Sequence, residues 1–405
     1  MTRMDFIILI IGSDINAYYM ARCAHEAYKV KPYMLAHNKM AFTANSSIIN
    51  LFYNDKIWDE KEFIKAINKF SKEHKDKKII LISSNETYAA FLVNNKLPNN
   101  CIYNYPKAEI LNNFINKEKF YKAYNKYLDI PETIYYDCKA KSMPDINIKY
   151  PIIIKPANVV MYNHISFDGK EKIYKVANED DALNIIKSIK MGGYTDTLII
   201  QEFIPGDDSY LFDSVTYSNK DGKVTDMTFA QIGLQEHKKT MIGNAAVLIN
   251  GFNTYGVDII PTIKKLTKFM ENIGYTGYAE FDLKFDKRDK KFKVLEINAR
   301  QGRCSYYLSA LGCNLVKNMV DDLLYDVKKD FTFYDAPLLL SFVPKKIAKK
   351  YIRNPKFKDE ALKLWSKRVN PVKYSKDKNL KRKLLLIKIA NRYTKDYKES
   401  TWERI

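Results

Sequence analysis

Residues 277–300 set two runs of alternating polar and apolar side chains on either side of a polar turn at 287–290, and this pattern restricts the fold more tightly than any other in the chain. Period-two alternation around a short polar turn predicts a β-hairpin. Folded symmetrically about Asp289, the hairpin sets Asp282 opposite Glu296 and Glu280 opposite Asn298. Successive strand residues point to opposite faces. Phe281, Leu283, Phe285, Leu295 and Ile297 therefore share one face, and Glu280, Asp282, Glu296, Asn298 and Arg300 the other. Such a face is either the solvated side of an amphipathic hairpin or a binding site. Facing carboxylates with Cβ atoms ~5 Å apart repel. Mg²⁺ relieves that repulsion, being held by one or two carboxylates while substrate phosphates supply further ligands. Asn298 and Arg300 on the same face, leading into Gln301-Gly-Arg303, favour the binding site.

The chain has 405 residues, more than one hydrophobic core supports, and so predicts two to three domains. Its content of 46% hydrophobic and 28% charged residues excludes wholesale disorder. No apolar run reaches the ~18 residues of a membrane span. The opening run ends in Gly12-Ser-Asp14 instead of a cleavage site and reads as a buried first strand. Five scattered cysteines without a C-x-x-C pair argue against a disulfide framework and a zinc ribbon, and suit a reducing cytosol.

Apolar runs at 6–11, 32–36 and 78–83 alternate with helical stretches at 16–28 and 60–74, the rhythm of a parallel α/β sheet. A helix at 116–127 follows. Beyond residue 150 the pattern changes. Strands are predicted at 151–155, 197–203, 209–217 and 223–233, helices at 180–190 and 257–272, and a Gly-centred loop over 161–175, an α+β unit behind an α/β one.

Other residues carry weaker signals. Lys155 closes an apolar strand, where a lysine is costly to bury without an anion; it either contacts a phosphate or snorkels from a strand end. Phe167-Asp-Gly-Lys170 is a mobile cationic flap or a simple turn. Gln201-Glu-Phe-Ile-Pro-Gly-Asp-Asp208 suits an adenine and a ribose, and is equally an ordinary strand and turn. The five histidines have no metal-ligand spacing.

Taken in order, Gly12-Ser-Asp14, Asn116-Lys117, Lys155-Pro, Phe167-x-Gly-Lys170, Glu202-Phe-Ile-Pro-Gly-Asp-Asp208, Asp282 and Glu296-x-Asn-x-Arg300 resemble the ATP-grasp superfamily of carboxylate–amine ligases. Within it, the stretches at 12–22, 203–209, 242–244, 275–277, 296–303 and 343–347 most resemble the D-aspartate ligases of the peptidoglycan interpeptide bridge. The resemblance implies an ATP-grasp fold. Residues 1–115 would be an N-terminal Rossmann-like domain, 116–200 a lid subdomain, 201–330 a catalytic subdomain with the metal hairpin, and 331–405 a basic helical extension. Lys117 and Lys155 would contact the phosphates of ATP, with Lys170 or Lys172 on the closing loop. The backbone of Glu202, Phe203 and Ile204 would hold adenine and Asp208 the ribose. Asp282, Glu296 and Asn298 would bind one or two Mg²⁺. Arg300, with Lys155 and Lys170, would act on the transferring phosphoryl group. Gly243, Asn244, Gln301, Gly302, Arg303 and Ser305 would help to bind the acid, D-aspartate, whose β-carboxyl is joined to a lysine side-chain amine of the stem peptide. Another acid or amine, and a non-catalytic nucleotide-binding protein, stay open.

The net charge of +20 is uneven. From Pro344 onward, 21 Lys and Arg face 6 Asp and Glu, so +15 of it lies in the last 62 residues. Leu385, Leu386, Ile389, Ala390 and Tyr393 fall at helical spacing among these cations. That helix either packs on the protein with a solvated basic face or lies on an anionic membrane. Nucleic acid is not an expected partner, since no binding module accompanies the charge. A homodimer is left open.

Overall fold

A computed structural model describes residues 5–238, 241 and 243–399. Residues 1–4, Ile242 and residues 400–405, which enter the readings of the first strand, the acid pocket and the basic tail, lie outside them.

Five parallel strands form the first sheet: Phe6–Ile11 (β1), Tyr33–Ala36 (β2), Asn50–Tyr53 (β3), Lys78–Ser83 (β4) and Cys101–Ile102 (β5), in the order β3-β2-β1-β4-β5. Helices Ile15–Tyr28 (α1), Glu60–Glu73 (α2) and Glu86–Asn94 (α3) connect them. Crossover helices cover both faces of such a sheet, so its strands are apolar throughout. Leu9 and Ile11 of β1 enter one core cluster, and Phe6, Ile8 and Ile10 the other. Gly12 ends β1 at φ +113°, where a Cβ would lie 1.9 Å from Ser84 Oγ. Only glycine allows that close turn into α1, whose first amides are capped by Asp14 accepting from Ala17 N at 2.9 Å.

Helices Ala108–Ile115 (α4) and Lys117–Tyr124 (α5) lead to an antiparallel sheet of Thr133–Asp137 (β6), Ile152–Pro156 (β7), Tyr174–Val176 (β8) and Thr197–Glu202 (β9), ordered β6-β9-β7-β8. Val159–Asn163 (α6) and Glu179–Met191 (α7) accompany it. The eight-stranded sheet holds Leu211–Ser218 (β10), Val224–Thr228 (β11), Ala230–Gln235 (β12), Ala245–Asn250 (β13), Gly277–Asp286 (β14), Lys291–Asn298 (β15), Thr332–Tyr334 (β16) and Leu338–Ser341 (β17). Its main path runs β15-β14-β10-β12-β13-β17. The helices that follow β13 are Ile260–Asn272 (α8), Tyr306–Ala310 (α9), Leu315–Leu323 (α10), Lys345–Tyr351 (α11), Pro355–Lys363 (α12) and Leu380–Glu399 (α13).

Three differences from the sequence reading have physical causes. The strand expected at 223–233 is two: both pieces pair with β10 in one register, but between them side chains replace the backbone ladder, Ser214 Oγ donating to Thr228 O at 2.6 Å and Val215 N to Thr228 Oγ1 at 3.0 Å. The stretch expected as a helical extension from residue 331 first supplies β16 and β17, which bury apolar residues on the large sheet. The hairpin holds its expected register at Glu280–Asn298 and Asp282–Glu296, but a bulge shifts it beyond Asp282, so that Leu283 faces Val294. Leu295, expected on the core face, is the extra residue. It lines the cleft, and Val294 and Phe292 take the core positions.

Candidate active site

A cleft of ≈ 560 Å³ lies where the N-terminus of α1, the start of α5, the end of β7 and the polar face of β10, β14 and β15 meet. Its floor is acidic. β14 lies between β10 and β15, so Asp282 has Asp213 on one side and Glu296 on the other. Glu280, one side-chain period away, points the same way and is buried, its carboxylate over Gly302, where a Cβ would lie 1.4 Å from Oε2. Burial and the neighbouring carboxylates push Glu280 and Asp282 well above the ordinary carboxyl range. Burial likewise holds Asp213 at about 7, while Tyr307 donates to its Oδ1 at 2.7 Å. Asn298 Nδ2 donates to Glu280 at 3.4 Å and to Asp282 at 3.3 Å. Turned over, that amide would present its oxygen to a cation shared with Asp282.

The chemistry of this donor set fits Mg²⁺. Among the described residues no three Asp, Glu, His or Cys side chains converge as a complete protein cage. A site that takes one or two carboxylates and leaves other positions to phosphate and water needs none. Repulsion among the acids supplies the drive for a cation.

The opposite wall is cationic. Asn116 caps α5, accepting from Lys119 N at 3.1 Å, and so sets Lys117 on the first turn, where its Nζ donates to Glu296 Oε1 at 2.5 Å. Burial alone would raise the Glu296 carboxyl, but Lys117, with Lys172 and Lys155, brings it down to about 2. Lys155 closes β7 almost wholly buried, donating to Tyr121 OH at 3.0 Å. Burial, reinforced by repulsion from Lys117, lowers it to about 7. Tyr121 also donates to Leu295 O at 2.5 Å, so the hairpin bulge ties β15 to α5 and the lysine pair.

Arg300 pairs with Glu86 at the start of α3 at 2.9 Å. Arg303 donates to Glu236 at 2.5 Å, over the Phe342 ring. Both arginines line the cleft, and the Nε of each is buried without a hydrogen-bond partner among the described residues. Two arginines lining one cleft suit an anionic ligand.

An adjoining cavity of ≈ 420 Å³ is lined by Phe203, Asp208, Gln235, His237, Lys175 and Lys284, among others. Asp208 accepts from the Gln235 backbone at 2.8 Å and from its side chain at 2.7 Å. Lys175 and Lys284 lie 4.5 Å and 5.0 Å from the Phe203 ring centre. The Glu202 and Phe203 amides are already bonded to Glu132 O and Pro151 O. The Ile204 amide is left without a backbone partner among the described residues.

The structure thus brings together Lys117, Lys155, Lys172, Gly243, Asn244, Asp282, Glu296, Asn298, Arg300 and Arg303 in one cleft, with Phe203 and Asp208 in the next. Six expected residues line neither cavity: Ile204, Gly302, which lies under the Glu280 carboxylate, and four whose side chains are engaged elsewhere. Lys170 turns back to donate to Ile165 O at 2.7 Å over the Tyr162 ring, and Lys172 is the flap lysine that enters the cleft. Gln301 is spent on Ser83 O at 2.6 Å, and Ser305 accepts from Gly302 N at 2.8 Å, so both shape the turn behind Arg300. The Glu202 side chain is held by Arg288 at 2.5 Å, at the rim. The sequence reading missed Asp213, Lys175 and Lys284. Lys284 continues the alternation of Glu280 and Asp282, which was a usable signal; a single carboxylate in a buried strand, such as Asp213, was not.

No family model matches the chain. The chain is 31% identical over 412 residues to a D-aspartate ligase of Enterococcus faecium (strain Aus0004), with 98% of this chain and 96% of that protein covered. Among solved structures it is similar to an L-amino acid ligase from Bacillus licheniformis, at TM-score 0.57 and 16% identity over 79% of this chain and 75% of the other. It is also similar to an N5-carboxyaminoimidazole synthetase from Staphylococcus aureus complexed with ADP, at TM-score 0.58 and 14% identity over 84% and 83%. These structures share its fold.

Proposed function

The chain belongs to the D-aspartate ligases, ATP-dependent carboxylate–amine ligases of the ATP-grasp fold, and from that premise we propose that it joins the β-carboxyl of D-aspartate to the lysine side-chain amine of a peptidoglycan stem peptide. The observation that carries the reading is the facing of an acidic floor by a lysine wall, joined at Lys117 and Glu296, in a cleft continuous with a base-sized cavity. The five cysteines are free thiols, which supports a cytoplasmic setting.

In the first step a carboxylate oxygen of the acid bonds to the γ-phosphorus of ATP as the bond to ADP breaks, giving an acyl phosphate. Both reactants are anionic, so positioning and charge neutralisation supply most of the catalysis. Lys117, Lys155 and Lys172 hold the phosphates, and the cavity around Phe203 and Asp208 takes the nucleoside. One or two Mg²⁺ at Asp282, Glu296 and Asn298 would offset the charge on the transferring group. Arg300 binds the acyl phosphate oxygens, and Arg303, with Gly243 and Asn244, the remaining anionic end of the acid. The amine then attacks the activated carbonyl, the C–N bond forms, phosphate leaves with the C–O electrons, and the amine proton passes to solvent. The Lys172 loop excludes water, which would otherwise hydrolyse the intermediate.

The test is ADP release with MgATP across D- and L-amino acids, with and without a lysine-containing stem peptide. Turnover with D-aspartate that yields peptide amide establishes the reading. Turnover with another acid keeps the ligase and replaces the substrate. ATP binding without turnover on any acid removes it.

A further inference from the structure

α13 carries two apolar stripes, and only one of them is used by the protein. The inner side contains Leu386, Tyr393 and Tyr397, which pack on the cores around the large sheet. Tyr397 donates to Gln235 O at 2.5 Å, and Arg382 to Phe42 O at 3.1 Å and Val372 O at 2.8 Å. The sequence reading offered the stripe through Leu386 and Tyr393 either to the protein or to a membrane, and it goes to the protein. The second stripe is Leu380, Leu384 and Ile387, which are 68%, 60% and 58% exposed. At 3.6 residues per turn they share one narrow arc on the outer side. Exposed Lys381 and Lys388 flank that arc on one side and exposed Lys383 on the other.

A single exposed leucine needs no explanation, but three in line on a helix already anchored by its other side do. An apolar line bordered by lysines is the pattern of a helix lying in the plane of an anionic bilayer interface, with its apolar residues among the acyl chains and its cations at the headgroups. The surrounding charge agrees, since the last 62 residues carry 21 Lys and Arg against 6 Asp and Glu. A second copy docking by the same face would set these lysines against each other. A nucleic acid would leave the leucines in water.

We propose that the outer face of α13, through Leu380, Leu384 and Ile387 with Lys381, Lys383 and Lys388, docks the protein on an anionic lipid surface. The placement has a consequence that rests on the ligase reading. Arg382, on the inner side of the same turn, holds the backbone of Phe42, and Met40 and Phe42 line the catalytic cleft. Docking therefore sets the Phe42 wall of the cleft one helix away from the lipid surface, within reach of an acceptor presented there.

The experiment is flotation of the full chain with vesicles of phosphatidylcholine alone or with 30% phosphatidylglycerol, at low and high salt. The expected result is partitioning onto the phosphatidylglycerol vesicles that weakens with salt. Changing Lys381, Lys383 and Lys388 together to Gln lowers it about 100-fold, at about 5-fold per lysine. Leu384→Ser with Ile387→Ser lowers it at least 10-fold without changing the melting temperature. Partitioning that is absent, or equal in all variants, overturns the proposal. So does a dimer in sedimentation that Leu384→Ser with Ile387→Ser dissociates, because the face then belongs to a second copy. ADP release with soluble acid and peptide reads the ligase reaction separately: both sets of variants keep it, so loss of docking and failure of the ligase reading are distinguishable.

Discussion

Lys117 Nζ lies 2.5 Å from Glu296 Oε1, so a lysine assigned to phosphate and a carboxylate assigned to metal neutralise each other when neither ligand is bound. The pair holds two unlike charges in the cleft, and on the proposed reading MgATP exchanges it for two new partnerships. Glu296 keeps 39% of its side chain in contact with solvent, so the pair contributes little to folding, about 1 kcal/mol or less. Lys117→Met and Glu296→Gln are therefore expected to melt within a few degrees of the parent. Turnover is expected to fall by ~100-fold or more, because in the proposed mechanism Lys117 neutralises the phosphates and Glu296 holds the metal that does the same. Steady-state ADP release and thermal melts on the same samples check both halves.

If Lys155 meets a phosphate of ATP as proposed, it makes MgATP binding sensitive to pH. Burial holds its folded-state value at about 7, so at pH 8 most of the free protein carries it neutral. A phosphate beside it favours the charged form and raises that value. Binding at pH 8 is then coupled to uptake of a proton, and affinity falls by up to tenfold per unit as pH rises above about 7. Calorimetry in two buffers of different ionisation enthalpy measures the uptake. Lys155→Met is expected to abolish it, and an unchanged proton count in that variant would remove Lys155 from the phosphate site.

How much of this could be read from the sequence follows from what period-two alternation encodes. The hairpin and its turn were legible, and Glu280, Asp282, Glu296, Asn298 and Arg300 share a face as expected. The bulge at Leu295 was not legible, because it answers a tyrosine on α5, 174 positions away in the chain. Lys170 and Lys172 are alike in sequence, and only the path of the loop decides that one meets Ile165 O and the other the cleft. The inner stripe of α13 was legible as an amphipathic pattern. Its partners, Gln235, Glu236 and Phe42, lie far off in the chain and carry no local mark.

The acidic floor predicts a link between metal and stability. Asp213 is raised to about 7, and Glu280 and Asp282 are raised as well. A carboxyl raised on folding binds more protons in the folded than in the unfolded state. Its contribution is complete below the unfolded value near 4 and is lost as pH rises through the folded value. Without metal, the melting temperature is expected to fall between pH 5 and 7, above which Lys155, lowered to about 7, acts in the opposite direction. Mg²⁺ at 10 mM replaces the protons, so the fall flattens and binding releases protons. Asp282→Asn with Glu296→Gln is expected to remove the Mg²⁺ response, and melting curves over this pH range with and without Mg²⁺ test it.

The remaining prediction concerns Arg303, which the C-terminal helix reaches through one carboxylate. Tyr393 OH donates to Glu236 Oε1 at 3.1 Å, and the same oxygen accepts from Arg303 at 2.5 Å. Glu236 is buried, which alone would raise its carboxyl, and Arg303 is the foremost group opposing that rise. Tyr393 thus supports the carboxylate that holds Arg303, and it lines neither cavity itself. Tyr393→Phe removes one hydrogen bond, a loss of about 1 kcal/mol or about fivefold. If Arg303 binds the acid, that loss falls on KM for the acid, while KM for ATP and kcat stay within twofold. Glu236→Gln is expected to act in the same direction and more strongly, since a neutral amide holds the guanidinium less firmly. Equal rises in both KM values would mean that the helix supports the whole cleft instead of aiming Arg303.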